Sequence, residues 1–322
     1  MGDMAQLNRR HFFFGMLGVA AIRRPTMELP KPRVSIVRAP TYSTDLQSLV
    51  RRILLEHQVA ILGKKILLKP NLVEFRSDAP VNTHPVFVAA VAEAFRSLGA
   101  GEVWIAEGPG HRRTTLDLAS SAGYFSVVPN FENHFTDLNL DDVSRVTIRN
   151  PFSHLSELYL PHTVLRYDLL VSLPKMKTHH WTGATLSMKN LFGLVPGSVY
   201  GWPKNLLHWA GIDECVADLQ SLFPRQFCLV DGIDAMEGNG PVLGSRIVAG
   251  GIVAGAHPPS VDATCCRVMQ IDPEKVRYLR LVAQRSRWNL ADIQQLGESV
   301  RSVQKRFTLL PELEHFRLRE NG

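Results

Sequence analysis

Apolar and polar positions along this chain fall into two alternating periods. Short apolar runs at 34–37, 65–69, 103–106, 169–173, 227–230 and 247–253 are bounded by Pro, Gly or Asn and predict strands. Between them, apolar residues recur at helical spacing over 45–57, 84–98, 211–222, 259–269 and 273–284. The 84–98 segment has a small-residue face (Ala89, Ala90, Ala92, Ala94), and Gly99 stands where a helix C-cap is expected. Strand and helix alternating at this spacing predict βαβ units. The fold class expected is α/β: a mostly parallel sheet with flanking helices and a Rossmann-like layered core, as one body or as two lobes around a cleft. Residues 130–159 are polar and irregular, read as short β-segments or an insertion.

The apolar run after Arg9-Arg10-His11-Phe12-Phe13-Phe14 belongs to neither period. A positive start followed by about 10 apolar residues has the size of a signal h-region and is short for a membrane span. Paired arginines before aromatics predict a twin-arginine export signal, engagement of that translocon and a periplasmic or other extracytoplasmic location. A basic, frayed N-terminus on a cytoplasmic protein is the alternative. The expected division is a signal and linker over 1–30, an α/β domain over 31–300 and a C-terminal tail over 301–322.

Composition narrows the classes. With 322 residues, 45% hydrophobic and 20% charged, the chain is long enough for a large α/β core. The net charge is +6, but four arginines against one aspartate in residues 1–24 leave 32 basic and 29 acidic residues for the rest. No basic stripe with interleaved aromatics appears, so nucleic acid is not an expected partner. Cys215, Cys228, Cys265 and Cys266 form no C-x-x-C pair, so no iron–sulfur cluster is expected.

Candidate chemistry sits where the predicted strands end. In open α/β sheets, ligands bind outside the carboxyl ends of the strands. Lys69-Pro70-Asn71, Glu107-Gly108-Pro109-Gly110-His111, Lys175-Met176-Lys177-Thr178-His179, Asp231-Gly232 and His257 all follow predicted strands, so a cleft is expected there. Residues 173–197 are the densest stretch, with three lysines and two histidines within 15 positions. Burial lowers lysine pKa values, as suits adduct chemistry, and histidine supplies a metal ligand or a base. A solvated basic loop is the other reading, against which Gly183, Gly193, Gly197 and Leu191-Phe192 argue for packing. Residues 231–241 read as a glycine-rich anion-binding loop or as a tight turn, and Asp262 as a helix cap. His57, His134, His154, His162, His315 and Cys265-Cys266 are assigned to packing or surface. Trp181, Trp202 and Trp209 line a pocket or belong to the core.

In order, Lys69-Pro70-Asn71, Thr83-His84-Pro85, Glu107-Gly108-Pro109-Gly110, Leu173-Pro174-Lys175-x-Lys177-Thr178-His179, Lys189-Asn190-Leu191-Phe192-Gly193 and Glu237-Gly238-x-Gly240-Pro241 closely resemble the domain of unknown function 362 family over about residues 34 to 270. More distantly, Gly110-His111-Arg112, His179-x-x-x-Gly183, Lys189 and His208 resemble the nickel-pincer lactate racemases. That second resemblance implies His111 and His179 as an acid/base pair, Lys189 (with Asn190) as the attachment point of a nickel-pincer nucleotide, and His208 as a nickel ligand. The arginine of the racemase signature is absent beside Thr83-His84-Pro85. The expected ligand is a small anion held by Lys69, Asn71, His84, Glu107, Arg112, Lys175, Lys177, Asp231 and Glu237. On these grounds the chain reads as a racemase, epimerase or oxidoreductase on hydroxy acids. A non-catalytic metal or small-molecule binder, or an accessory to a redox partner, is the alternative.

Overall fold

Alternation within the central strands decides the layering. In a computed structural model that describes residues 30–110 and 114–319, Ile66 and Leu68 of one strand enter one buried cluster and Leu67 enters the other. Successive side chains of a strand point to opposite faces, so an apolar run without alternation needs a cover on both. Helices Leu46–Glu56 and Pro85–Ser97 supply one cover through Val50, Ile53, Phe87, Val91 and Phe95. Helices Ile212–Leu222, Pro258–Val268 and Arg277–Ser286 supply the other through Val216, Val261 and Leu279. Asp45 accepts from the Ser48 amide at 3.1 Å to start the first helix, and Pro85 opens the second.

The strands are β1 (Arg33–Arg38), β2 (Lys65–Pro70), β3 (Glu102–Glu107), β4 (Phe135–Asp137), β5 (Val143–Thr147), β6 (Glu157–Pro161), β7 (Leu169–Leu173), β8 (Lys175–His179), β9 (Gly183–Thr185), β10 (Gln226–Glu237), β11 (Ser245–Gly255) and β12 (Gln294–Gly297). Ten form one sheet in the order β12-β1-β11-β10-β7-β2-β3-β4, with β8 added to β10 and β9 to β8, while β5 and β6 pair apart. From β10 across β7, β2 and β3 to β4 every pairing is parallel. The expected α/β class and mostly parallel sheet are found. The irregular 130–159 region supplies β4, β5 and most of β6.

Three differences from the sequence reading have physical causes. β11 runs antiparallel to both β1 and β10, so its carboxyl end lies at the opposite edge of the sheet. His257 is therefore removed from the other strand-end groups and bonds Ser260 at 2.7 Å, with burial pushing it down to about 4. β10 continues to Glu237, because β8 pairs with its second half once Pro174 has ended β7. The glycine-rich stretch from Asp231 is thus largely strand, and its loop begins only at Gly238. Third, the segment after 300 packs: Val303, Phe307, Leu309 and Leu313 are buried in the second core cluster. The expected signal lies outside the described residues. Among the described residues, no helix is long and apolar enough to cross a membrane.

Candidate active site

The strand-end lysines separate into two kinds. Lys69, at the end of β2, is fully buried and sits 2.5 Å from Glu107 at the end of β3. Its ammonium also donates to the Pro70 carbonyl at 2.8 Å and to Asn190 Oδ1 at 3.1 Å. Burial pulls this lysine below its ordinary value and Glu107 opposes that pull. Glu107 further accepts the amides of Leu72 and Gly108, and Asn190 Nδ2 returns to Lys69 O and Ser172 Oγ. A Cβ on Gly193 would occupy the place of the Lys69 and Glu107 head groups, which is why Leu191-Phe192 is followed by glycine.

Lys175 repeats the arrangement at the start of β8. It lies 2.6 Å from Asp231, and Asp231 also takes the Tyr42 hydroxyl at 2.9 Å and the His84 amide at 3.0 Å. The His84 ring stacks on Tyr42 at 3.8 Å and its Nδ1 accepts from the Val86 amide. Every charge in these two networks is compensated. They lock strand ends together rather than await a ligand.

Lys177, Lys189 and Lys204 differ. Lys177, fully buried on β8, donates only to the carbonyls of Val81 (2.8 Å) and Pro241 (3.3 Å). Burial, and then the charges of Lys175 and Lys189, push it well below its ordinary value. Lys204 donates to the carbonyls of Gly108 (2.5 Å) and Phe192 (2.8 Å), and burial lowers it to about 7. Lys189, on the one-turn helix Ser187–Asn190, rests its ammonium 3.8 Å over the Phe192 ring and is likewise lowered to about 7 by burial. None of the three has a carboxylate within ion-pair distance among the described residues. All three line one cleft of about 300 Å³, together with His179, His180 and His208.

Backbone contacts fix the tautomers of these rings. His179 Nδ1 accepts from the amides of Trp181 (3.1 Å) and Thr182 (3.3 Å), so the proton of the neutral ring sits on Nε2. Burial and then Lys189 push this histidine well below its ordinary value and keep it neutral. His208 Nδ1 faces the Lys204 carbonyl at 3.0 Å and must donate to it, which leaves Nε2 as a lone pair. His180 Nδ1 does the same with Gly240 O at 2.7 Å. The cleft thus holds an N–H donor and two nitrogen acceptors in its resting state. Asn71 Oδ1 and Thr185 Oγ1 are buried in its wall without a partner.

Asp262 supports the lysine-bearing turn from behind. It lies inside helix Pro258–Val268, so it does not cap its own helix as expected. It accepts from the amides of Ser187 (2.8 Å) and Met188 (3.0 Å) and from the Ser187 hydroxyl, capping the turn that carries Lys189. Burial lifts it to about 7 against those hydrogen bonds.

Of the expected site residues, Asn71, Lys177, His179, Lys189, Asn190 and His208 meet at the cleft. Lys69 and Glu107 lie just beneath it. Lys175, Asp231 and His84 form the separate network, and Glu237 turns away to accept the Thr308 amide at 2.7 Å. His111 and Arg112 lie outside the described residues. Lys204, Thr185 and Tyr42 were not singled out by sequence, and His180 only as one of the two histidines of the 173–197 stretch. Lys204 follows Trp202-Pro203 in a stretch without periodicity, and only its left-handed backbone (φ 69°) turns it back to the cleft. Among the described residues, no group of three His, Cys, Asp or Glu side chains converges to hold a metal.

The profile of a domain of unknown function, DUF362, matches residues 66–267. A thylakoid-associated protein of Synechocystis sp., sll1697, is 28% identical over 223 residues, 66% of this chain and 65% of its own length. The chain therefore spans a little under two thirds of that relative. Among solved structures, the lactate racemase apoprotein of Thermoanaerobacterium thermosaccharolyticum matches with TM-score 0.47 and 13% identity, over 74% of this chain and 57% of the other. A Thermotoga maritima protein matches with TM-score 0.38 and 12% identity, over 78% and 60%.

Proposed function

The chain belongs to the DUF362 family, and from that premise we propose that it is an enzyme that binds a small organic anion in the Lys177–Lys189–Lys204 cleft and transfers protons there. The observation that carries this reading is the pairing of uncompensated buried lysines with histidines of opposite tautomer. Burying an ammonium without a carboxylate is costly, and the fold puts three lysines in that position at one place, Lys177 and Lys204 buried and Lys189 half-buried. Each is lowered toward the neutral amine, while Lys69 and Lys175 nearby are ion-paired. A bound carboxylate would supply the missing charge. His208 Nε2 then stands as the base for a substrate hydroxyl, and His179 Nε2–H as the acid.

The motif likeness to nickel-pincer racemases sharpens this to racemisation, epimerisation or oxidation of a hydroxy acid. The residues fit such a group. Lys189 makes no hydrogen bond among the described residues and, near 7, is partly the free amine that an attachment requires. His208 offers one nitrogen lone pair, enough for a metal held mainly by the group itself; with the group bound that lone pair is no longer a base, and the resemblance leaves the acid/base pair to His111 and His179. Bound there, the group would supply an electrophile for hydride. Lys177 and Lys204 would remain for the carboxylate. The N-terminal arginine pair supports export in the same reading; fractionation after Arg9→Lys with Arg10→Lys tests it.

The deciding experiment uses protein from a host able to load such a group. Each enantiomer of a 2-hydroxy acid is incubated separately and followed by chiral chromatography, with peptide mass spectrometry over 173–204 and metal analysis. Interconversion that falls by about 10²-fold or more in His179→Gln is expected. No turnover with an unmodified Lys189 would refute the enzyme and leave a binding protein.

A further inference from the structure

The same cleft is apolar away from its lysines, and that half has a chemistry of its own. Trp181 lines it and is 61% exposed, although its backbone amide is held by His179. Leu243 lines it and is 68% exposed, and Val242, Pro203 and Phe192 complete the wall. Large apolar side chains left open beside a pocket mark surface that a ligand covers. The Trp181 indole stands edge-on to His208 at 5.5 Å and to His180 at 4.7 Å, so its place is set by the same rings that line the polar end.

Size points the same way. The cleft holds about 300 Å³. At the ~10–15 Å³ of cavity volume that one water needs, a three-carbon hydroxy acid with ~6 non-hydrogen atoms takes about 60–90 Å³. Its phenyl analogue, with ~12, takes about 120–180 Å³, so the cleft has room for the larger. The polar end is, by contrast, sized for one head group. Lys177 and Lys204 each spend two ammonium hydrogens on backbone carbonyls and keep one. The orphaned Asn71 Oδ1 and Thr185 Oγ1 ask for a hydroxyl beside the carboxylate.

We infer that the ligand is a hydroxy acid bearing a bulky apolar, ring-containing group, and that Trp181 with Leu243 selects for that group. This rests on the anion-binding reading above. The carboxylate lies at Lys177 and Lys204, the hydroxyl near Asn71, and the ring against the indole face. Trp181 is a specificity residue with no part in proton transfer.

Titration calorimetry on the full chain separates the two claims with three probes: phenyllactate, lactate and the uncharged 3-phenylpropane-1,2-diol. Phenyllactate should bind roughly tenfold or more tighter than lactate, the gain expected of one good aromatic contact. Trp181→Ala should remove most of that preference, lowering phenyllactate affinity far more than lactate affinity; at 61% exposure the residue is not needed for folding. Equal affinities for lactate and phenyllactate would overturn the inference while leaving the anion site standing. A preference that survives Trp181→Ala would overturn the assignment to Trp181. Diol binding as tight as phenyllactate, or no binding by any probe, would overturn the anion reading and this inference with it.

Discussion

Lys69 and Lys177 lie on strands of one sheet, each fully buried, yet they do different work. Lys69 meets Glu107 at 2.5 Å, whereas Lys177 meets only carbonyl oxygens. The neighbourhood of Lys69 is complete without a ligand, and that of Lys177, Lys189 and Lys204 is not. A lysine-rich motif is therefore not one functional unit. Half of it fastens strand ends, and the other half is held open by that fastening. Gly193 makes the link physical, since its missing side chain lets the backbone beside Lys189 pass directly over the Lys69–Glu107 pair.

Removing one partner from the complete region should give the largest effect. Lys69→Met leaves Glu107 buried without its cation and should cost about 3–5 kcal/mol by urea denaturation; a loss near that of a surface substitution would break the distinction. Asp262→Ala strips the cap from the turn carrying Lys189 and should cost about 2 kcal/mol. Anion affinity should fall in the same variant, because the turn is no longer held. Lys189→Met should do the reverse of Lys69→Met: with no hydrogen bond to lose, it should raise stability at pH 7 by up to about 1 kcal/mol while weakening anion binding. Trp209→Ala, 78% exposed and away from the cleft wall, should change stability by no more than about 0.5 kcal/mol and binding not at all.

Titration sharpens the contrast. Lys204 falls to about 7 when folded, against about 10.4 for an unfolded lysine. Between those values the unfolded chain binds more protons, so stability rises with pH from about 7 to 10, and the full penalty is present below 7. Lys204→Met should flatten that rise. His179 acts at lower pH: its folded value lies well below the unfolded ~6.5. Stability should therefore fall as pH drops below about 6.5, and less so in His179→Gln.

Much of this was legible in the chain. Uninterrupted apolar runs such as Ile66-Leu67-Leu68 have one packing solution, a strand covered on both faces, and the helices between them followed. The strand-end rule placed Lys177 and His179 near Asn71, because β8 pairs parallel to β10 and the pairing from β10 to β4 is also parallel. Lys189 was marked by the lysine- and histidine-dense stretch, and His208 only by the racemase resemblance. The rule failed for His257, because strand direction is not written in an apolar run. It failed in another way for Lys175, Asp231 and Glu107. Residue type announces a charge but not whether a partner 38 or 56 positions away will neutralise it. Lys204 and Tyr42 were invisible for the same reason, since each reaches its network only by chain reversal.

Calorimetry of phenyllactate binding at pH 8, run in two buffers of different ionisation heat, tests most directly that the cleft lysines await an anion. At that pH Lys204, and Lys189 where it is unmodified, are largely neutral, and a carboxylate placed among them should restore their charge. Uptake of about one proton per ligand bound is the predicted result. Binding without proton uptake, or with release, would contradict it.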